Sequence, residues 1–424
     1  MPAPSIPASR YTSKEWKQLE DERLWPRVWQ LACSVDCVRD PGDYFVYELG
    51  RLSIIILRDQ TGSLQAFQNT CSHRGSLLLE GAGRGLDEIR CPYHHWCYDF
   101  DGHRRAENAS AGSAGTPSAA SLVPVAVETW GGLVFLNPAP KCAESLSGFL
   151  ESLPEELAWV GMEDGTCEAF LSVPVACNWK LVIDAFIETY HLHAVHPQML
   201  AIADDVNTPI TLYDKHSMFM QPYGAPSPRR GGDVSNQEVW EEFVRNLGHR
   251  IGLPFAATEN PGPHPEIPKD KTMRDVLAGK IRTHLNARSD RYANLDDHHL
   301  IDDFHYHLFP NTVINIFAGW FGVIRARPGK NPDECILDMW NFDIDAHDEA
   351  RTRPRPVAQQ LTLDEAAALG PVLRQDLELL PRVQRGLEQP GARDLRLTPA
   401  ESRIGRMHEV LDRVIDPPDG FRLG

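Results

Sequence analysis

Residues 69–100 read NTCSHRGSLLLEGAGRGLDEIRCPYHHWCYDF, and this stretch decides the fold. It holds two cysteine–histidine pairs: Cys71-Ser72-His73, followed by Arg74-Gly75, and Cys91-Pro92-Tyr93-His94, followed by His95-Trp96. Each pair offers one thiolate and one imidazole. Two thiolates on one iron and two imidazoles on the other form the ligand set of a mixed-ligand 2Fe–2S cluster, whose potential lies well above that of an all-cysteine cluster. A structural zinc ion uses the same residue types. Zinc fingers, however, usually keep two Cys in one half-site and two His in the other, whereas both halves here are mixed. The C-x-x-H spacing favours His94 over His95 as the fourth ligand.

Outward from the two pairs, short apolar runs alternate with glycine turns. Tyr44-Phe45-Val46-Tyr47 and Leu52 to Leu57 read as strands, and Thr61-Gly62 and Asp101-Gly102 as hairpin turns. The pattern predicts an antiparallel β domain over residues 28–140, closed by Asn137-Pro138-Ala139-Pro140. Thr12-Ser13-Lys14-Glu15 reads as a capping box, and Trp16, Leu19 and Leu24 follow at helical spacing. A helix is therefore expected over 13–25, and residues 1–27 are expected to pack on the second domain, 141–424. Residues 109–121, ASAGSAGTPSAAS, form a low-complexity loop. The Pro- and Gly-rich stretches 221–235 and 259–270 read as long loops flanking a pocket entrance. Residues 301–342 read as two or three strands, so the fold class is α+β.

Composition narrows the partners. Across 424 residues the chain carries 42 Lys and Arg against 59 Asp and Glu, a net charge of −17, which argues against nucleic acid. The N-terminal residues lack an apolar signal core, and no stretch approaches the roughly 20 apolar residues of a membrane span. A cytoplasmic protein is expected. The nine cysteines form no disulfide-like array, so reduced thiols are the default, and Cys33 and Cys37 read as core packing.

A second constellation lies at 178–197, NWKLVIDAFIETYHLHAVHP. Trp179, Val182, Phe186 and Tyr190 recur at three- or four-residue steps, so most of it reads as an amphipathic helix. Glu188 and His191 lie at i and i+3, on one face. His191 and His196 are five apart, roughly 140° round an ideal helix, and could share a metal only if the helix loosens near Pro197. Two His and one carboxylate on one face of an iron leave positions open for oxygen. Glu188 could also accept the second N–H of His191 and orient it. Of the remaining histidines, His298, His299, His305 and His307 read as surface or core polar groups, with His305 or His307 able to line a pocket. Phe304, Phe309, Phe317, Trp320 and Phe321 read as core.

The two motifs together resemble the Rieske oxygenases, the ring-hydroxylating type of non-heme iron enzyme. Cys71-Ser72-His73-Arg74-Gly75 and Cys91-Pro92-Tyr93-His94 match the two cluster loops of that family, with His95 standing where it usually has glycine. Asn178-Trp179-Lys180 and Glu188-x-x-His191-x4-His196-Pro197 are similar to its mononuclear iron motif. The stretch Arg374-Gln375-Asp376-Leu377-Glu378 resembles its C-terminal helix. The resemblance implies an N-terminal all-β Rieske domain and a helix-grip catalytic domain, an antiparallel sheet with helices. Cys71, His73, Cys91 and His94 are then the cluster ligands, and His191, His196 and Asp376 the iron ligands, with His193 and Glu378 as rivals. Glu188 would bridge the cluster of one protomer to the iron of the next in a ring, most simply a homotrimer, and Asp184, one helical turn earlier, would either support the same network or simply face solvent. Many family members carry Asp where this chain has Glu188.

The activity so implied is that of the terminal oxygenase, or alpha subunit, of a multicomponent dioxygenase or monooxygenase. It would use O2 and electrons from NAD(P)H, delivered by a separate reductase and a possible ferredoxin; a β subunit is also possible. The leading expectation is hydroxylation of a small aromatic substrate, as in aromatic hydrocarbon catabolism. The alternative is a monooxygenase or demethylase acting on a quaternary amine or N-methyl compound. A reading of another class is a non-enzymatic Rieske electron carrier, which would have no use for His191, His196 and Asp376.

Overall fold

The computed structural model describes residues 5–105, 121–142, 144–254, 259–344 and 354–423. Nearly all of the stretch 109–121 lies outside these. Among the described residues the N-terminal lobe is built from nine strands: β1 (Gln30–Ser34), β2 (Tyr44–Leu49), β3 (Leu52–Arg58), β4 (Leu64–Gln68), β5 (Ala82–Gly83), β6 (Ile89–Arg90), β7 (Cys97–Tyr98), β8 (Ala126–Trp130) and β9 (Leu133–Asn137). They pair as a four-stranded sheet β4-β3-β2-β5, a three-stranded sheet β1-β9-β8 and the β6-β7 hairpin. The run Ile54-Ile55-Ile56-Leu57 in β3 is buried on both faces. Ile54 and Ile56 pack with Tyr47 and Val38, while Ile55 and Leu57 pack with Cys71, Cys91 and Trp96 beneath the two cysteine–histidine loops. An unbroken apolar run is the mark of a strand covered on both sides.

The C-terminal lobe is organised on one eight-stranded sheet. Its strands are β10 (Thr166–Val175), β11 (Ile210–Leu212), β12 (Ser217–Gln221), β13 (Asp303–Leu308), β14 (Thr312–Phe317), β15 (Trp320–Pro328), β16 (Cys335–Asp343) and β17 (Gln359–Gln360), in the order β11-β12-β13-β14-β15-β16-β10-β17. Four strands, not two or three, occupy residues 301–343. The tight turns Pro310-Asn311 and Ala318-Gly319 divide runs that hydropathy alone merges. One face of the sheet, with Tyr306, Ile314, Phe321 and Trp340, packs on Trp29, Leu31, Leu133 and Phe135 of the first lobe. The opposite face carries the helices.

Helix α1 (Lys14–Leu19) is capped by Ser13, whose Oγ accepts the Trp16 N–H, and not by Thr12, which ends a preceding helical turn. It passes into a wider π turn over Glu20–Leu24, so the helix expected over 13–25 is an α-helix for only its first half. Helix α2 (Trp179–Phe186) starts on Asn178, whose side chain accepts the Lys180 N–H and donates to the carbonyls of Tyr11 and Pro332. Lys180 and Trp179 both reach Glu20, in a fully buried ion pair of 2.5 Å and a hydrogen bond of 3.0 Å. The residues that open the second motif thereby lock α2 to the N-terminal segment. Helices α3 (Asn236–Leu247) and α4 (Met273–Asn286) pack on each other beyond β12. Finally α5 (Pro371–Leu387) lies beside α2, and α6 (Ser402–Ile415) covers β11 and β12. The stretch 221–235 holds a 3-10 turn at Pro228–Arg230 and is not without structure. Among the described residues no helix is long and apolar enough to cross a membrane.

Candidate metal centres

The first centre sits on two loops that present matching backbone. The Cys71 carbonyl accepts the Gly75 N–H and the Cys91 carbonyl accepts the His95 N–H, so each loop closes as a turn five residues long. Both fifth positions have positive φ: +75° at Gly75 and +59° at His95. The glycine usual in the family at position 95 thus has a physical reason, and His95 takes the left-handed conformation at a cost of roughly 1–2 kcal/mol. The two Sγ atoms point inward from buried cysteines, and His73 and His94 stand at the surface with ring centroids 4.7 Å apart. The Tyr98 hydroxyl lies 3.1 Å from Cys71 Sγ. Burial alone would raise the Cys91 thiol, but the His94 and Tyr93 amides and the neighbouring Cys71 and Ser76 side chains bring it below its ordinary value. His73 stacks on Trp96, which Arg104 covers at 3.7 Å, and Arg74 lies over Tyr93.

Among the described residues, no three of these four ligand atoms lie within 4.8 Å of one another. A single four-coordinate zinc, with bonds of about 2.0–2.3 Å, would hold them closer than that. The donor set is spread as a two-iron cluster requires, with thiolates below and imidazoles above.

The second centre does converge. One ligand atom from each of His191, His196 and Asp376 lies within 4.8 Å of the others. Helix α2 ends at Phe186, before Glu188, so the expectation that most of 178–197 is helix is corrected. The chain unwinds over 187–191, makes one turn at Leu192–Val195 and another at Pro197–Ala201. That break turns two histidines five residues apart toward one point. Their tautomers follow from their partners. His191 Nδ1 lies 2.5 Å from Glu188 Oε1, and His196 Nδ1 lies 2.7 Å from Gln375 Oε1, which also accepts from Gln198. Both partners are acceptors, so each Nδ1 carries the proton and each Nε2 presents a lone pair. His196 Nε2 is buried without a hydrogen bond, although it lies 3.0 Å from Asp376 Oδ1. A lone pair facing a carboxylate oxygen at that distance calls for a cation between them. The set fits a 2-His-1-carboxylate iron.

The other candidates separate cleanly. His193 Nδ1 meets the Tyr190 carbonyl at the surface, and Glu378 projects to solvent two residues past Asp376. Glu188 is buried, and its second oxygen accepts the His191 N–H at 3.1 Å. Burial works against a charged His191, but Glu188 outweighs it and raises the imidazole above its ordinary value. Asp184 does not face solvent. One of its oxygens accepts the Tyr11 hydroxyl at 2.7 Å, the other has no partner, and burial lifts it to about 7. Asp184, Glu188, His191 and Asp376 line one cleft of about 350 Å³, closed by Leu181, Leu395 and Glu401. Two contributors escaped the sequence reading. Gln375 left no signal beyond standing beside Asp376. Tyr11, bridging Asp184 to His408 Nε2 at 2.9 Å, left none.

Comparisons with known proteins accord with both centres. The ring hydroxylating alpha subunit (catalytic domain) family matches residues 157–417, and the Rieske [2Fe-2S] domain family matches 28–120. The carnitine monooxygenase oxygenase subunit of Escherichia coli (strain K12) is 30% identical over 232 residues, 53% of this chain and 60% of that one. The glycine betaine monooxygenase oxygenase subunit of Pseudomonas aeruginosa (strain UCBPP-PA14) is 27% identical over 208 residues, 48% of each. The matched part thus spans between about half and three-fifths of these relatives' lengths. Among solved structures, a quaternary ammonium Rieske monooxygenase in complex with L-carnitine aligns with a TM-score of 0.67 at 19% identity, over 97% of this chain and 96% of that one. Naphthalene 1,2-dioxygenase from Rhodococcus sp. aligns with a TM-score of 0.65 at 18% identity, over 97% and 94%. The chain belongs to the ring-hydroxylating alpha-subunit family, with a Rieske 2Fe–2S domain ahead of its catalytic domain.

Proposed function

We propose that this protein is the terminal oxygenase of a multicomponent monooxygenase acting on a quaternary amine or N-methyl compound. The observation that carries the oxygenase reading is the convergence of ligand atoms of His191, His196 and Asp376 on one point. Cys71, His73, Cys91 and His94 would hold the cluster, and His191, His196 and Asp376 the iron. The cluster supplies stored electrons and the iron supplies oxygen activation. Glu188 orients His191, Gln375 orients His196, and Tyr11 fixes which oxygen of Asp184 is free in the cleft. Electrons would come from NAD(P)H through a separate reductase. Inter-subunit electron transfer is described for one solved relative, and a homotrimer with Glu188 at the protomer boundary extends that arrangement to this chain.

The names of the relatives favour the quaternary-amine reading over the aromatic one. The iron-side sheet face adds physical support. Trp320 stands half-buried there, 5.7 Å from Phe317, whose own ring carries the Arg250 guanidinium at 4.2 Å, and an uncovered ring face attracts quaternary ammonium groups. A single turnover of pre-reduced protein under labelled oxygen decides. One aldehyde and one smaller amine released per turnover support the reading. Label in a ring diol or phenol restores the aromatic one. Cluster reoxidation without labelled product from any amine or aromatic offered defeats both.

A further inference from the structure

The sheet face that α2 covers is not uniformly apolar. Phe219, His305, Asn315, Gly322 and Asn341 form one cross-strand row over β12 to β16. The neighbouring row, with Val313, is apolar core that packs with Val182 and Ile183 of α2 and with Ile187 just beyond it. Strand β10 runs from Thr166 to Val175 and α2 returns over the sheet, so the segment beyond α2, with His191 and His196, lies toward the polar row. The polar row is less covered at its middle and far end: Asn315 is half-buried although it sits on a central strand, and Asn341 is exposed. At Gly322 an added Cβ would lie 2.6 Å from the Trp320 ring, so the indole rests over this row.

His305 is held in one state. Arg403, fully buried on α6, spans β12 and β13, donating to Ser217 Oγ at 3.0 Å and to the carbonyls of Ser217 and His305 at 3.2 Å. Its Nη1 lies 3.2 Å from His305 Nδ1. A guanidinium only donates, so Nδ1 accepts, and the neutral ring carries its proton on Nε2. Burial, then Arg403, keeps the ring neutral. Among the described residues neither His305 Nε2 nor the Asn315 amide has a hydrogen-bond partner, and the two side chains are direct cross-strand neighbours. The surrounding charge is positive. Arg403 and Arg250 are buried on backbone carbonyls, with no carboxylate within salt-bridge distance among the described residues; the acids beside them are Asp303 and, near Arg250, Asp302, which pairs with Arg274.

We propose that His305 and Asn315 form a subsite for the carboxylate end of the substrate, with Arg403 as the positioning residue that fixes the His305 proton on Nε2. The proposal deepens the quaternary-amine reading and rests on it for the cationic end: the substrate is a zwitterion, its ammonium against Trp320 and its carboxylate on the two donors.

Titration calorimetry on the fully loaded protein tests it with two ligand pairs, betaine against tetramethylammonium and benzoate against benzene. His305→Leu and Asn315→Leu should each weaken betaine about tenfold or more, as loss of a hydrogen bond to a charged group does, and leave tetramethylammonium unchanged. His305→Gln, which keeps an N–H at the same reach, should restore most of the loss. Nitrogen NMR of the wild type should show the Nε2–H tautomer and a shift of His305 on adding betaine. The same selective loss with benzoate alone would keep the subsite and remove the quaternary-amine reading. Equal losses within a pair, no loss at all, an Nδ1–H tautomer, or a wild type that binds neither carboxylate would overturn the subsite.

Discussion

The two metal centres use the same histidine chemistry in opposite settings. His73 and His94 stand at the surface on loops closed by local turns, whereas His196 and Asp376 are 2% and 4% exposed and come from segments 180 residues apart. On the proposed function an electron enters the first centre from a separate reductase, which ligands at the surface favour. The second must keep water away from open iron positions, and its ligands are held by buried partners: Glu188 for His191 and Gln375 for His196. The first centre is defined by its loops, the second by its supports.

That contrast can be broken most sharply at the ligands. Asp376→Ala should empty the mononuclear site and abolish turnover while the cluster keeps its visible absorbance; iron per chain should fall from about three to about two. Cys91→Ala should do the reverse, bleaching the colour and leaving the mononuclear iron. If either change removes both metals, the centres are not independent. Gln375→Leu probes the supports and should weaken mononuclear iron binding by about 10–100-fold, read by chelator competition, with the cluster untouched.

Acid should separate the lobes next. Burial holds His216 down to about 4, so the unfolded chain binds its proton more readily. The stabilisation from that neutral ring is complete above about pH 6.5 and is lost as pH falls toward 4, about 3 kcal/mol in all. Asp184 and Asp303, held up to about 7, act in the opposite sense, so wild type against His216→Asn is the comparison to make. The variant's C-terminal lobe should lose less stability between pH 6.5 and 4, followed by calorimetry. The smallest effect is expected at His95→Gly. Relief of the left-handed backbone outweighs the added freedom of the unfolded glycine by about 0.5–1 kcal/mol, read as a higher cluster-lobe melting temperature.

The same contrast explains what could be read from the sequence. The cluster loops were legible because every feature that makes them is local: ligand spacing, the turn closed on each cysteine, the apolar strand beneath. His191 and His196 were legible as a pair, but not the end of α2 at Phe186, because the apolar rhythm of Phe186 and Tyr190 continues past the break. Asp376 came from resemblance and Gln375 from nowhere, since a glutamine beside a ligand has no periodicity. Residues 301–342 hid a fourth strand because β14 and β15 are buried on both faces and lose the alternation that marks a strand. Tyr11 and His408, nearly 400 residues apart, meet only in three dimensions.

That last meeting has a consequence for the order of assembly. The strands of the cluster lobe end at Asn137, so everything needed to fold it has left the ribosome early. Tyr11, which donates to Asp184, meets His408 only near the end of the chain, and the proposed iron ligands are complete only at Asp376. At about 5–20 residues per second, roughly 9 to 36 seconds separate His196 from Asp376. Through that interval His191 and His196 would await their third ligand, open to whichever divalent ion is abundant. Which metal fills the second centre is thus decided late, after the first lobe has already formed.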